Sequence, residues 1–434
     1  MLTPRPHRFL INRSYARLWY GQAISTVGDF VFSTSLVLWV ATVLAEGRPW
    51  APAAVSGVVL AVGIAVLGVG PLAGVFVDRW DPVRTMLGTE VIRAALVALL
   101  TVVSFLPVHA IPTWLWLILI YVVVAALNAV GQFFGPARFS TIRDIVTGEA
   151  DRTRAAGIAQ ATSGMAAIVG PPLAAPLLFG LGLQWALLVN VVSYVVSYLA
   201  IRSARHEVVA ARTERVKGRA GLGRELTEGI RFFAGSRFLV ALLILAVIGQ
   251  LGTGTLTTLN VFFVTGNLHA PSDLYGYFGT AIGAGGIVGA LCAGRAVAWV
   301  GARRATWIGL VLGGVLLFVY SRQTTVPAGL TMIFLLIVPI TILNMAMSPL
   351  LLAAAPKEYS GRVFAVFYPV TRLASMLAAT AAGAVVSAVP SGAISLVGMR
   401  FGPVDVTLAV AAALIVLAGG YARFALPGEG ESAR

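Results

Sequence analysis

The eleven residues GVFVDRWDPVR, Gly74–Arg84, stand between two long apolar runs, and eleven others, GRAVAWVGARR at Gly294–Arg304, stand between two more. The offset is 220: Gly74 meets Gly294, and Arg84 meets Arg304. It also carries Pro136 of "GPAR" onto Pro356 of "APK". A chain that repeats its loops at a fixed spacing repeats the elements those loops join. The two halves therefore share one plan, which the apolar runs on either side define.

Those runs lie near 18–44, 53–77, 86–106, 114–135, 155–179 and 184–201, and again near 238–264, 274–299, 305–320, 328–352, 363–388 and 405–424. Most reach about 20 residues, the helix length that crosses a bilayer, whereas a barrel strand needs about 10. The chain is 58% hydrophobic and 11% charged, with a mean hydropathy of +0.90, while soluble domains carry about 25% charged residues. Lipid offers the backbone no hydrogen bonds, so each run must satisfy its own as a helix. The expectation is an all-α membrane protein of twelve transmembrane helices in two six-helix bundles. Residues 1–17 form a tail, 18–201 the first bundle, 202–237 a linker, 238–424 the second bundle and 425–434 a second tail.

A net charge of +14 raises the question of a nucleic-acid partner, which would need basic residues gathered on one exposed face. Sorted by alternating sides of the membrane, 25 of the 31 Lys and Arg fall on the side of the N-terminus. Three (Arg48, Arg322, Arg400) fall on the other, and Arg93, Arg295 and Arg372 lie within spans. The positive-inside rule then puts both termini in the cytoplasm of a cell whose inner membrane holds the protein. Membrane lipid is the expected partner of these charges, and nucleic acid is not. The stretch 202–237, with Glu207, Glu214, Glu225 and Glu228 among its basic residues, reads as a linker partly helical at the membrane surface. Arg5, Arg8, Arg13 and Arg17 precede a run with no cleavage site, which predicts an uncleaved first helix.

Cys292 is the sole cysteine, so no intramolecular disulfide or cysteine metal cluster can form. His7, His109, His206 and His269 lie in loops or tails, and no phosphate loop is present. No enzyme, metal site, cofactor or direct use of ATP is expected.

Polar residues inside spans carry the functional reading, because they are costly in lipid and find a purpose within a bundle. Gln22, Ser25, Asp29 and Ser33 stack on one side of the first helix, and Gln250, Thr253, Thr257 and Asn260 on one side of the seventh. Asn128 and Gln132 in the fourth span, and Thr341, Asn344 and Ser348 in the tenth, extend the set. Together Gln22, Ser25, Asn128, Gln132, Gln250, Thr257, Asn260, Asn344 and Arg372 are the expected substrate cavity. The bland alternative is interhelical glue, and Asn190, Ser193 and Ser197 in the sixth span form a stripe of that kind.

Asp29 lies about 16 Å beyond Arg17, where an acid that alternately meets water and a closed interior can load and release a proton. It is the candidate for proton coupling. Arg372 has three readings: a partner of Asp29, a binder of anionic substrate, or a partner of backbone carbonyls. Glu90 and Arg93, three residues apart, read as a self-contained pair. Glycines of the second and eighth spans, and Gly170, Pro171, Pro172 and Pro176 of the fifth, suit close-packed and bent helices.

With these residues in view, the chain resembles the major facilitator superfamily along nearly its whole length. "GPLAGVFVDRWDPVR" is similar to that family's signature G-x-x-x-D-R-x-x-R-R, with Gly74, Asp78 and Arg79 in register. Asp81 replaces its glycine, Pro82 replaces a basic residue, and Arg84 supplies the charge slightly later. Arg138, in "FFGPARFSTIRDIV", resembles the branch holding macrolide efflux pumps and siderophore exporters. The resemblance implies a cytoplasmic gate of Gly74, Asp78, Arg79, Arg84 and Arg138 and alternating access between inverted repeats. It also implies a monomeric exporter of amphipathic small molecules, exchanging cargo for protons. An importer of a small polar solute, a non-transporting membrane sensor and a membrane enzyme acting on lipid-linked substrate are the rivals.

Overall fold

A computed structural model of the chain describes residues 10–77, 79–146, 148–210, 230–354, 360–389, 394–396 and 399–425. Twelve of its helices are long and apolar enough to cross a membrane. They are α1 (Arg13–Trp39), α2 (Ala51–Val77), α3 (Pro82–Ser104), α4 (Thr113–Ile145), α5 (Glu149–Pro176), α6 (Leu183–Ala210), α7 (Arg237–Phe262), α8 (Tyr275–Val300), α9 (Ala302–Ser321), α10 (Val326–Ala354), α11 (Ser360–Ala388) and α12 (Pro403–Ala425). A two-stranded antiparallel hairpin, Ile394–Leu396 with Met399–Phe401, lies between α11 and α12. The protein is all-α in class and multi-pass in the membrane.

Each expected span falls on one helix, and the differences lie at the ends. The fourth was expected to stop at 135, with "GPAR" as a loop, but α4 runs through Pro136 to Ile145. Hydropathy ends a span where lipid ends, whereas a helix continues while its backbone bonds and one face are served. Here Ala137, Thr141 and Ile145, four residues apart, stay buried beyond the apolar stretch. For the same reason α5 begins at Glu149 rather than 155, with Glu149 and Asp151 in its first turn, where the helix dipole favours acids. Helix α9 is short: Gly301, at φ 83°, separates it from α8 and leaves 20 residues, enough for about 30 Å.

Helix ends repeat between the halves. A π-helical turn closes α1 (Val40–Leu44) and another closes α7 (Phe263–Asn267). A third, Leu177–Leu181, follows the prolines of α5, whose missing N–H groups loosen the ladder there.

By contact the chain forms two units. One gathers the chain up to Trp39 with the stretch from Ile64 through α6, and the other gathers Val40–Gly63 with everything from α7 onward. In the first, α6 packs on α1 and α3, α5 packs on α1, and α4 packs on α3. In the second, α12 packs on α7 and α9, α11 on α7, and α10 on α9. These are the same pairings displaced by six helices, as the 220-residue repeat requires. Lipid supplies no hydrophobic drive between helices, so close approach has to come from small residues. A Cβ at Gly28 would strike Ser193 and Asn190 of α6, and one at Gly254 would strike the Ser375 carbonyl of α11. The first half of α2 meets α11 within the second unit, where the Ala53 N–H donates to Ser387 Oγ at 3.0 Å.

Candidate functional site

Close packing of α1 on α6 places Asp29 beside two residues from elsewhere in the first unit. Its carboxylate accepts two bonds from Arg93 Nη2 of α3, at 3.0 and 3.2 Å, and one from the Tyr194 hydroxyl of α6, at 2.5 Å. The guanidinium also lies over the Tyr194 ring, 4.3 Å from its centre, a cation–π contact that holds the plane of the charge. One turn earlier on α3, Glu90 is 1% exposed. Its Oε1 accepts from Ser197 Oγ at 2.7 Å, and its Oε2, without a hydrogen-bond partner, stands 4.0 Å from Arg93 Nη1.

Glu90 and Arg93 do pair, as their spacing predicts, but the pair is not self-contained, because Arg93 also holds Asp29. Asp29 is the nearer acid, at 3.0 Å against 4.0 Å, and it is 38% exposed where Arg93 is 13%. The cation of Asp29 is thus Arg93. Tyr194 was missed, because a tyrosine in an apolar run looks like core; its signal was the polar face Asn190, Tyr194 and Ser197, spaced i, i+4 and i+7 on α6. Ser193 Oγ meets Asn190 Oδ1 at 3.0 Å, which completes that buried face.

Farther along α1, Gln22 Oε1 accepts from Arg138 Nη1 of α4 at 3.2 Å, which joins an expected cavity residue to an expected gate residue. Arg138 is a helical, half-buried residue rather than a loop one. A crevice of about 30 Å³ lies beside the pair, large enough for one water, and Gln22 Nε2 is buried there without a partner. Ser25 is buried. Asn128 and Gln132 are half-buried on α4, their amides donating to the carbonyls of Val124 and Asn128.

Of the gate residues, Gly74 has open space where a Cβ would stand, and Arg79 and Arg84 are exposed. Asp78 lies outside the described residues. The departures from the family pattern have a local cause. Asp81 is the N-cap of α3, its Oδ1 accepting the Arg84 N–H at 2.9 Å, and Pro82 takes the first helical position, where a missing N–H costs nothing. Trp80 stacks on Phe133 of α4 at 5.8 Å and pins this loop.

In the second unit a cavity of about 360 Å³ opens among α7, α9, α10 and α11. Leu, Ile and Met make half of its wall, and Gln250, Thr253, Asn344, Ser348, Tyr368 and Thr371 supply its polar groups. No charged side chain lines it among the described residues. Gln250 and Asn344 are brought together here; Thr257 and Asn260 are not. Thr257 is exposed, with its hydroxyl donating to the Thr253 carbonyl, and Asn260 is buried, accepting from the Tyr320 hydroxyl at 2.6 Å. Arg372 follows Thr371 of the wall and is exposed, without an ion pair among the described residues. No group of His, Cys, Asp or Glu among the described residues could hold a metal ion.

The Major Facilitator Superfamily model matches residues 18–379. Macrolide efflux protein A of Streptococcus pyogenes is 25% identical over 232 residues, 53% of this chain and 54% of that protein. The putative bacilysin exporter BacE of Bacillus amyloliquefaciens is 31% identical over 200 residues, 46% of each. The chain thus spans about half the length of these curated relatives. The uncharacterized transporter YfiS of Bacillus subtilis (strain 168) is 22% identical over 373 residues, 83% of this chain and 84% of that one. Among solved structures, the nucleoside transporter NupG superposes with a TM-score of 0.72 at 12% identity, covering 96% of this chain and 100% of that one. A bacterial homologue of ferroportin gives 0.74 at 15%, covering 95% and 98%.

Proposed function

The chain belongs to the major facilitator superfamily, and we propose that this membrane transporter exports uncharged amphipathic small molecules in exchange for protons. The observation that carries the reading is the cavity of the second unit: about 360 Å³, walled by aliphatic side chains, with amides and hydroxyls but no charge. Sites for small organic molecules run from about 300 to 1,000 Å³ and combine an apolar wall with a few polar groups that fix orientation. Gln250 and Asn344 serve that purpose here, and an ionised cargo would find no counter-charge on this wall.

Export is the direction that the relatives support, since two of them are named for efflux or export of a macrolide and of bacilysin. Proton exchange rests on Asp29, an ionisable group within an apolar span whose bonds to Arg93 and Tyr194 weaken when it is protonated. The loop at Gly74–Arg84, with Arg138, forms the cytoplasmic gate of alternating access. The charge asymmetry of the loops puts both termini in the cytoplasm and the protein in the inner membrane. One copy of the chain forms the transporter.

The test is efflux of an uncharged amphipathic drug from loaded cells, with and without a protonophore, in wild type and Asp29→Asn. Protonophore-sensitive efflux in the wild type and its loss in the variant are expected. Equal efflux in all four conditions would end the reading.

A further inference from the structure

Two acids in the first unit share one cation. Asp29 and Glu90 both face Arg93, and among the described residues the other groups that hydrogen-bond to the two acids are the neutral hydroxyls of Tyr194 and Ser197. With both acids ionised the cluster would hold an uncompensated negative charge inside the bundle, a costly state in a low-dielectric interior.

The proton that removes this charge has a definite place. Asp29 accepts three hydrogen bonds and is 38% exposed. Glu90 accepts one, is 1% exposed and keeps Oε2 without a hydrogen-bond partner. Donated bonds and water stabilise the carboxylate of Asp29, and neither reaches Glu90 Oε2. An ionised Glu90 would also draw the guanidinium of the next turn into direct contact, yet Arg93 Nη1 stands 4.0 Å away.

The geometry points to Glu90 as a stored-proton site, with Arg93 as a switch that Asp29 holds while Glu90 is neutral and Glu90 takes when it ionises. In that step alternating access admits water beside Glu90, the O–H bond of Glu90 breaks, its proton leaves to that water, and the guanidinium moves by about the 1 Å between a contact of 3.0 Å and a gap of 4.0 Å. Asp29 is left with Tyr194 and water. The charged groups acting on Glu90 are Arg93 of its own helix and Asp29 of α1; α6 contributes Ser197, and α4 contributes no charged group. Tyr194 of α6 faces the other two members of the cluster. This inference rests on the reading of a proton-coupled transporter and moves the transported proton from Asp29 to its neighbour.

The experiment is infrared difference spectroscopy of the purified full chain at neutral pH in an ester-free detergent. It reads the carbonyl stretch of a protonated carboxylic acid in wild type, Glu90→Gln and Asp29→Asn. The wild type minus Glu90→Gln spectrum should show one such band. Asp29→Asn should lose the same band although Glu90 is intact, because Arg93 is then free to pair with it. Each single variant should fold, since glutamine mimics a neutral glutamate and Glu90 replaces Asp29 as the partner of Arg93. The double variant, with Arg93 unpaired, should not fold. A wild-type band absent from the difference, a band unchanged in Asp29→Asn, or either single variant failing to fold would overturn the assignment. The spectra need no transport, so they separate it from the parent reading. Gradient-driven efflux that persists in Glu90→Gln would overturn the transport role alone and leave proton exchange standing, whereas a wild type indifferent to a protonophore would end the parent reading.

Discussion

Tyr194→Phe removes one hydroxyl and keeps the ring over Arg93, so it isolates a single bond to Asp29. A hydrogen bond to a charged group contributes about 1.5–3 kcal/mol. The variant should lose stability of that order, read as a lower midpoint in a thermal melt, with membrane insertion unchanged. Asp81→Ala tests a different bond: loss of the cap on α3 should cost about 1 kcal/mol, and Asp81→Asn, which still accepts from Arg84 N–H, should recover most of it. Recovery in Asp81→Asn identifies Asp81 as a cap rather than a member of the gate. At this scale the sequence was readable in part. Asp29 stood out as a charge deep in an apolar span, but its partners lie 64 and 165 residues away in the chain. Spacing along one helix suggests only local pairs, which is why Arg93 read as the partner of Glu90.

Among elements, the contact of α1 with α6 brings the charged network together, and it depends on the absence of side chains at Gly21 and Gly28. Gly28→Leu should separate the helices and abolish folded protein, read as loss of a monodisperse peak by size exclusion in detergent. Gly286→Ala in α8, where a Cβ would meet nothing within 4 Å, should leave the peak unchanged. Helices themselves were plain in the sequence, because hydropathy and length decide them in lipid. Their ends were not: α4 outruns its apolar stretch by a helical segment whose buried face, Ala137, Thr141 and Ile145, has no hydropathy signal. That extension puts Arg138 on a helix beside Gln22 instead of in a loop.

For the whole molecule, the 220-residue repeat was legible at once, and four helix pairings of the first unit recur six helices later in the second, whereas the close packing of α8 on α10 has no equal between α2 and α4. The contents of the two units diverge: the first holds the charged cluster around Arg93, and the second holds an uncharged cavity. The stripe from Gln250 to Asn260 hinted at that cavity but could not give its wall, which also draws on the glycines Gly309 and Gly313 of α9. Filling the space with Gly313→Leu should weaken binding of an uncharged amphipathic probe at least tenfold by equilibrium titration, while the purified protein keeps its thermal midpoint within a few degrees.

In the proposed cycle protons drive the outward movement of uncharged amphipathic cargo. Proteoliposomes with one orientation of the purified chain and an imposed pH gradient measure it most directly. Uphill movement of the probe against the proton flow, abolished by a protonophore and absent in Asp29→Asn, is the predicted result. Movement that only equilibrates the probe, at the same rate with or without the gradient, would contradict the account.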